Sequence, residues 1–141
     1  MITEVSEIME RKVFSLPPGA PLIEAAELMH DHNIRHIPVV DHNEIVGVLS
    51  DRDLRGYLEE VYRSSVETPT GFRRKNLTVR EVMHSKPLTI DPGTTVSEAI
   101  DLMLENKIGA LVVADTLNQL KGIVSYEDIL RSVRDDYEAR V

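Results

Sequence analysis

The stretch Gly47-Val48-Leu49-Ser50-Asp51-Arg52-Asp53 recurs later in the chain as Gly122-Ile123-Val124-Ser125-Tyr126-Glu127-Asp128. In both copies a short apolar run typical of a strand leads into Ser-x-x-Asp, and a run with helical periodicity follows. At such a junction Ser-x-x-Asp is a variant of the capping box, because the hydroxyl and the carboxylate can both accept backbone N–H groups near the helix start. Each copy therefore predicts a strand that ends directly before Ser and a helix that begins directly after it.

The similarity extends well beyond this stretch. Val5-Ser6-Glu7-Ile8-Met9 aligns with Val79-Arg80-Glu81-Val82-Met83, and Pro18-Gly19 aligns with Pro92-Gly93. With one residue inserted in the second hairpin, roughly sixteen identities fall in about fifty aligned positions, far more than unrelated segments share. Two copies of one supersecondary unit therefore occupy the chain.

Each copy predicts the element order β-α-β-β-α. Short apolar runs indicate the strands, and apolar residues three or four apart indicate the helices. The predicted strands are Val13–Leu16, Ile37–Val40 and Ile45–Leu49 in the first copy, and Leu88–Ile90, Ala110–Ala114 and Leu120–Val124 in the second. The first helix of each copy carries the apolar residues Leu22, Ala25, Ala26 and Met29, or Val96, Ala99, Ile100 and Met103.

The two copies are expected to form one α/β (α+β) fold. A unit of about 60 residues buries little apolar surface alone, so we expect the copies to pack sheet to sheet about a pseudo-twofold axis. Repeat 1 is placed at residues 1–62, and repeat 2, with a C-terminal helix, at residues 77–141. Residues 63–76 are rich in Ser, Thr, Pro and Gly and predict a connector loop. Their basic triplet Arg73-Arg74-Lys75 is interpreted as solvated surface, with a phosphate or partner contact as the alternative.

Composition excludes several classes of protein. The 141 residues carry 24 acidic and 16 basic side chains, a net charge of −8, which disfavours nucleic-acid backbones and anionic membranes as partners. No apolar run approaches the roughly 18–20 residues that span a bilayer. The absence of cysteine excludes disulfides, thiolate-bound metals and a thiol nucleophile, and the cytoplasm is the expected compartment.

Several motifs together resemble a known domain family. They are the Pro-Gly turn, the helix motif Glu24-Ala25-x-x-Leu28-Met29, the run Ile34-Arg-His-Ile-Pro-Val-Val-Asp41 and the strand end Gly47–Asp53. This pattern resembles the cystathionine-β-synthase (CBS) domain, and two copies in tandem resemble the pair called a Bateman module. The resemblance covers Thr3 to about Val133. It implies a regulatory sensor of adenosyl nucleotides (AMP, ADP, ATP, S-adenosylmethionine or NAD-type molecules) that bind in clefts between the repeats, each cleft drawing residues from both copies.

The resemblance also implies which residues bind the ligand. It places the ribose-binding carboxylate at Asp53 and Asp128, and the hydroxyl that precedes it at Ser50 and Ser125. Positions that face the base or the phosphate are Ser15, Ile34, Arg35, His36 and Pro38 in the first copy, and Thr89, Ile108 and Ala110 in the second. Arg35 or His36, together with Arg52, is expected to hold a phosphate. Because Gly109, Ala110 and Glu127 stand at the matching places in repeat 2, we expect unequal affinities.

The sequence gives little indication of a metal site or of catalysis. His30, His32, His36 and His42 are close in sequence, but a helix end between His32 and His36 disfavours a shared metal ion. There is no nucleophile elbow, phosphate-binding loop or Gly-x-Gly-x-x-Gly stretch, so we predict neither catalytic residues nor a required cofactor.

The alternative to a nucleotide sensor is a ligand-free interaction or dimerisation scaffold, in which Ser-x-x-Asp only caps helices. The resemblance implies a homodimer and allows a separate regulated protein as partner. The last helix carries Ile129, Val133 and Tyr137 at four-residue spacing. This stripe predicts either packing on its own sheet or, for Tyr137, a partner contact.

Overall fold

The structure, a computed structural model, describes residues 4–67 and 77–140, and for residues 60–67 it describes the backbone alone. The expected α/β fold of two repeats is confirmed, with two departures in the order of elements: repeat 1 lacks its predicted first strand, and a two-residue strand at His84–Ser85 is added. In chain order they are a 3₁₀ turn at Val5–Glu7, α1 (Leu22–His32), β1 (His36–Asp41), β2 (Glu44–Ser50), α2 (Asp51–Glu67), α3 (Val79–Val82), β3 (His84–Ser85), β4 (Thr89–Ile90), α4 (Val96–Asn106), β5 (Ala110–Ala114), β6 (Leu120–Ser125) and α5 (Tyr126–Ala139).

The strands form two three-stranded sheets, with the orders β1-β2-β3 and β4-β5-β6. The first sheet belongs to a compact unit, Phe14–Pro87, which we call the central unit. The second belongs to the terminal unit, which combines the residues up to Val13 with those from Leu88 onward. Each compact unit therefore contains most of one repeat and the leading segment of the other. The leading segment of repeat 1 is the chain up to Val13, and that of repeat 2 is residues 77–87.

A buried hairpin forms the centre of each unit. Ile37, Val39 and Leu49 are fully buried in the central unit, and Leu111, Val113 and Val124 hold the matching places in the terminal unit. Both hairpins have a register shift at the same point, between Val39 and Val40 and between Val113 and Ala114. The copies thus share their backbone irregularities as well as their sequence.

The first helix of each repeat packs on its hairpin through small and flexible residues one turn apart. Ala25 and Met29 of α1, and Ala99 and Met103 of α4, are buried. Each helix ends in a residue of left-handed conformation, Asn33 with φ 52° or Lys107 with φ 54°, whose N–H donates to the carbonyl four residues back. This cap turns the chain into the next strand.

Two glycines allow the leading segment of one repeat to lie against the sheet of the other. A Cβ at Gly122 would lie 2.8 Å from the carbonyl oxygen of Glu10, and a Cβ at Gly47 would lie 3.0 Å from that of His84. Glu10 exchanges backbone hydrogen bonds of 2.9 and 3.0 Å with Ile123. Glycine at these two positions thus admits a neighbouring backbone.

Two expectations differ from the structure. In Val13–Leu16 only Leu16 pairs, through a single parallel bridge to Val39, because Pro17 and Pro18 have no N–H with which to extend the ladder. The connector was expected from Arg63, but α2 continues to Glu67. No Gly or Pro lies between Gly56 and Pro69, and extending an existing helix costs far less than starting one. The triplet Arg73-Arg74-Lys75 lies outside the described residues.

Candidate functional site

The predicted ligand residues of repeat 1 lie together at one end of the central sheet. Ser50, the last residue of β2, pairs with His36, the first residue of β1. The N–H of Asp51 donates to the Arg35 carbonyl at 2.8 Å. The N–H of Leu16 donates to the Pro38 carbonyl at 3.2 Å, which places the preceding Ser15 beside the same strand. We call this cluster the repeat-1 site: Ser15, Ile34, Arg35, His36, Pro38, Ser50, Arg52 and Asp53.

The terminal unit builds the matching cluster with the same backbone pairing. Ser125 pairs with Ala110, and the N–H of Tyr126 donates to the Gly109 carbonyl at 3.0 Å. Thr89 pairs in parallel with Val112, two residues along β5 from Ala110. We call this cluster the repeat-2 site: Thr89, Ile108, Ala110, Ser125 and Asp128.

At the repeat-1 site, Ser50 and Asp53 cap α2 reciprocally. The Asp53 N–H donates to Ser50 Oγ at 3.0 Å, and the Ser50 N–H donates to Asp53 Oδ2 at 3.3 Å. The capping interpretation is thus confirmed, but it uses only one carboxylate oxygen. Asp53 is exposed, and its Oδ1 has no hydrogen-bond or ion-pair partner among the backbone groups of residues 4–67 and 77–140 or the side chains of residues 4–59 and 77–140.

At the repeat-2 site the corresponding carboxylate is more enclosed. Asp128 Oδ2 accepts from the Ser125 N–H at 2.9 Å and from the Ser125 hydroxyl at 3.0 Å. Oδ1 accepts from Arg131 Nη1 at 3.4 Å, and the Asp128 side chain is 17% exposed. Sequence reasoning missed Arg131, although residues three apart on a helix are neighbours and an Asp–Arg pair at that spacing was a usable signal.

The repeat-1 site also holds the cationic and titratable groups. Arg35 and Arg52 are exposed, and neither forms an ion pair with any residue that the structure describes. Burial lowers the pKa of His36 below its ordinary value, with a smaller lowering by Arg35 and an opposing effect of Asp51 and Asp53. The repeat-1 site therefore combines an imidazole of lowered pKa with two exposed guanidinium groups and the carboxylates of Asp51 and Asp53.

The histidines do not converge. His30 and His32 lie on α1, His36 begins β1, and His42 lies in the β1–β2 turn. The predicted helix end between His32 and His36 is confirmed by the cap at Asn33. Across the described part of the chain, no three His, Cys, Asp or Glu side chains are grouped so that they could hold a metal ion. Nor does any helix in that part combine the length and apolarity needed to cross a bilayer.

Comparison with known proteins fits this geometry. The family model of the CBS domain matches residues 5–60 and 79–135. The CBS domain-containing protein YhcV of Bacillus subtilis is 30% identical over 128 residues, which are 91% of this chain and 84% of that protein. The crystal structure of the CBS domain pair of protein MJ0100, in complex with 5′-methylthioadenosine and S-adenosyl-L-methionine, aligns with a TM-score of 0.81 and 26% identity over 96% of this chain and 99% of that one. The structure of CBSX2 in complex with AMP aligns with a TM-score of 0.80 and 26% identity over 97% and 99%. This chain belongs to the CBS domain family and contains two copies of the domain.

Proposed function

We propose that this chain is a non-catalytic regulatory module that binds an adenosyl nucleotide of the AMP, ATP, NAD or S-adenosylmethionine class. The observation that carries the proposal is Oδ1 of Asp53 at the start of α2, which has no partner among the groups that the structure describes. The ligands named for the CBS structures of MJ0100 and CBSX2 all contain an adenosine moiety, which supports the same class here.

Asp53 is suited to hold a ribose. An ionised carboxylate accepts hydrogen bonds from both hydroxyls of a vicinal diol, and such charge-assisted bonds are typically worth about 1.5–3 kcal/mol each. Its second oxygen, Oδ2, is fixed by the Ser50 N–H. The cap thus orients the carboxylate before the ligand arrives, which reduces the entropy lost on binding.

The surroundings of Asp53 favour a ligand with a phosphate. Arg35 and Arg52 supply guanidinium groups, and His36 can gain a proton when an anion lies beside it. The net charge of the whole chain is −8, so a phosphate has to be held by such local groups and by the N-terminal backbone of α2. We propose AMP or a related adenine nucleotide as the ligand of the repeat-1 site.

Calorimetric titration with AMP, ATP, NADH and S-adenosylmethionine tests the proposal. Thermal unfolding provides a second reading, because a ligand at about 100 times its Kd adds roughly 2.7 kcal/mol of stability. We expect Asp53→Ala to weaken AMP binding by about tenfold or more, the equivalent of one charge-assisted hydrogen bond. Asp31→Ala, which removes the same charge from the exposed end of α1, should leave AMP binding unchanged. Absence of binding by every adenosyl compound would contradict the proposal.

The second candidate function is a ligand-free scaffold. It is favoured by one observation: both Ser-x-x-Asp motifs form complete caps and so have a structural role without a ligand. In that case Asp53→Ala would lower stability while no nucleotide shifted the unfolding temperature of the unmutated protein. Thermal unfolding of the unmutated protein with and without nucleotide therefore distinguishes the two functions.

We also propose a cytoplasmic homodimer that signals nucleotide occupancy to a separate protein. The support is the face of α5, where Leu130, Val133 and Tyr137 are 67%, 53% and 70% exposed. Sedimentation velocity should report a dimer for the unmutated chain and a weakened one for Tyr137→Lys. Leu117→Lys, in the β5–β6 turn, is the matched control because Leu117 is 67% exposed. A monomer at all concentrations would contradict the dimer.

A further inference from the structure

We infer that the Arg131–Asp128 ion pair competes with the ligand and makes the repeat-2 site the weaker of the two adenosyl sites. This inference rests on the proposed nucleotide binding. It goes further by identifying a residue outside the predicted ligand set, Arg131, that lowers the affinity of the repeat-2 site in addition to Gly109, Ala110 and Glu127.

Both oxygens of Asp128 are engaged without a ligand. Oδ2 accepts two hydrogen bonds from Ser125, and Oδ1 accepts from Arg131 Nη1 at 3.4 Å. The guanidinium occupies one acceptor direction of Oδ1, so a ribose diol has to compete with it for that oxygen. At the repeat-1 site the same oxygen of Asp53 has no partner among the described residues.

The difference arises at a single aligned position. Arg131 stands three residues after Asp128, and the residue three after Asp53 is Gly56. No heavy atom lies within 4 Å of the place that a Cβ on Gly56 would take. Repeat 1 thus has no side chain there that could reach the carboxylate, although the space would admit one.

The expected size of the effect follows from exposure. The Arg131 side chain is 57% exposed, and ion pairs at such positions change an equilibrium by a factor of about two to five. The direction of the change in AMP affinity distinguishes two roles for Arg131. If its charge attracts the phosphate at long range, removing that charge weakens AMP binding, whereas if it competes for Asp128, removing it tightens AMP binding.

Calorimetric titration with AMP in an Asp53→Ala background, which leaves the repeat-2 site to be measured, tests the inference. We expect Arg131→Gln to tighten AMP binding there by about two- to fivefold at low salt, and the gain to shrink at high salt. The matched control is Arg134→Gln, which removes the same charge from the same helix but pairs with Asp135 at 3.0 Å. It should leave AMP binding unchanged or slightly weaker. Asp53→Asn, which retains an acceptor for the cap, replaces Asp53→Ala if the latter is not folded by circular dichroism.

The outcomes separate this inference from the proposed function. Weaker binding by Arg131→Gln would overturn the inference and identify Arg131 as a ligand contact. Unchanged binding, or no binding at the repeat-2 site with or without Arg131, would also overturn it while leaving AMP binding at the repeat-1 site intact. Failure of the unmutated chain to bind AMP would instead contradict the proposed function, and the competition would then have no ligand.

Discussion

The starts of α2 and α5 place the same two residues at the same end of a hairpin, yet their carboxylates differ in what surrounds them. Asp53 is exposed and uses one oxygen in its cap. Asp128 is 17% exposed and uses both oxygens. The repeat reproduces the backbone, because strand pairing and capping are local, whereas the availability of each carboxylate depends on side chains that are not repeated. Likeness between the copies thus predicts the backbone better than it predicts the surroundings of each carboxylate.

The largest expected effect comes from a feature that the two copies share. Gly47→Ala and Gly122→Ala should each destabilise the protein by about 1–3 kcal/mol, because the added methyl group meets the leading segment of the other repeat. Gly122→Ala should cost more, because the Met83 and Met9 sulfurs, which would lie 2.5 and 2.7 Å from a Cβ at Gly47 and Gly122, belong to flexible side chains that can move aside. The backbone cannot, and the carbonyl oxygen of Glu10 would lie 2.8 Å from a Cβ at Gly122, against 3.0 Å between that of His84 and a Cβ at Gly47. Urea unfolding measures both. Gly19→Ala is the control, because nothing lies within 4 Å of its Cβ position, and equal stability of all three variants would contradict the docking role.

A smaller effect should distinguish the two caps. Asp128→Ala should lower the free energy of unfolding by about 1–2 kcal/mol and Asp53→Ala by about 0.5–1 kcal/mol, because Asp128 is more enclosed and makes more hydrogen bonds. The Ser125 N–H bond to Asp128 is 2.9 Å, against 3.3 Å for the Ser50 N–H to Asp53. Chemical denaturation of both variants, with Asp101→Ala on α4 as control, measures the difference. A larger loss for Asp53→Ala would contradict this order.

Much of the fold could be predicted because its signals are local. The hairpins follow from apolar runs, the starts of α2 and α5 from Ser-x-x-Asp, and the close approach at Gly47 and Gly122 from the missing side chain. Each signal lies within a few residues of the structure that it specifies. The family resemblance named the candidate ligand residues, and a predicted hairpin already groups some of them, since it sets Ser50 opposite His36.

The features that could not be predicted depend on a choice between equivalent partners. Gly47 and Gly122 leave the same space for a neighbouring backbone, so the sequence does not say which sheet receives which leading segment. The structure places Glu10 on the strand of Ile123, in the other repeat. The pairing of Arg131 with Asp128 depends on side-chain rotamers, which periodicity does not report.

The pH dependence of stability should report on the repeat-1 site alone, because the residue that matches His36 in repeat 2 is Ala110, which does not titrate. Burial lowers the pKa of His36 in the folded state, so the unfolded chain takes up the proton first as the pH falls. This contribution to stability is fully present above about pH 6.5 and decreases as the pH falls toward the lower folded pKa. Thermal unfolding between pH 7.5 and 5 should show a smaller decrease for His36→Ala than for the unmutated chain. His30→Ala, which removes an exposed histidine of α1, is the control, and an equal decrease in all three would contradict the role of His36.

The smallest expected effect comes from giving repeat 1 the arginine of repeat 2. Gly56→Arg should weaken AMP binding at the repeat-1 site by about two- to fivefold, because a guanidinium three residues after Asp53 competes for its free oxygen. Gly56→Ala is the matched control: both variants should gain roughly 0.5–1 kcal/mol of stability from improved helix propensity, but only the arginine should reduce affinity. Calorimetry at two salt concentrations measures both. If Gly56→Arg tightened AMP binding, attraction of the phosphate would outweigh competition for Asp53, and the weakness of the repeat-2 site would have to arise from Glu127 and the absence of cations at Gly109 and Ala110.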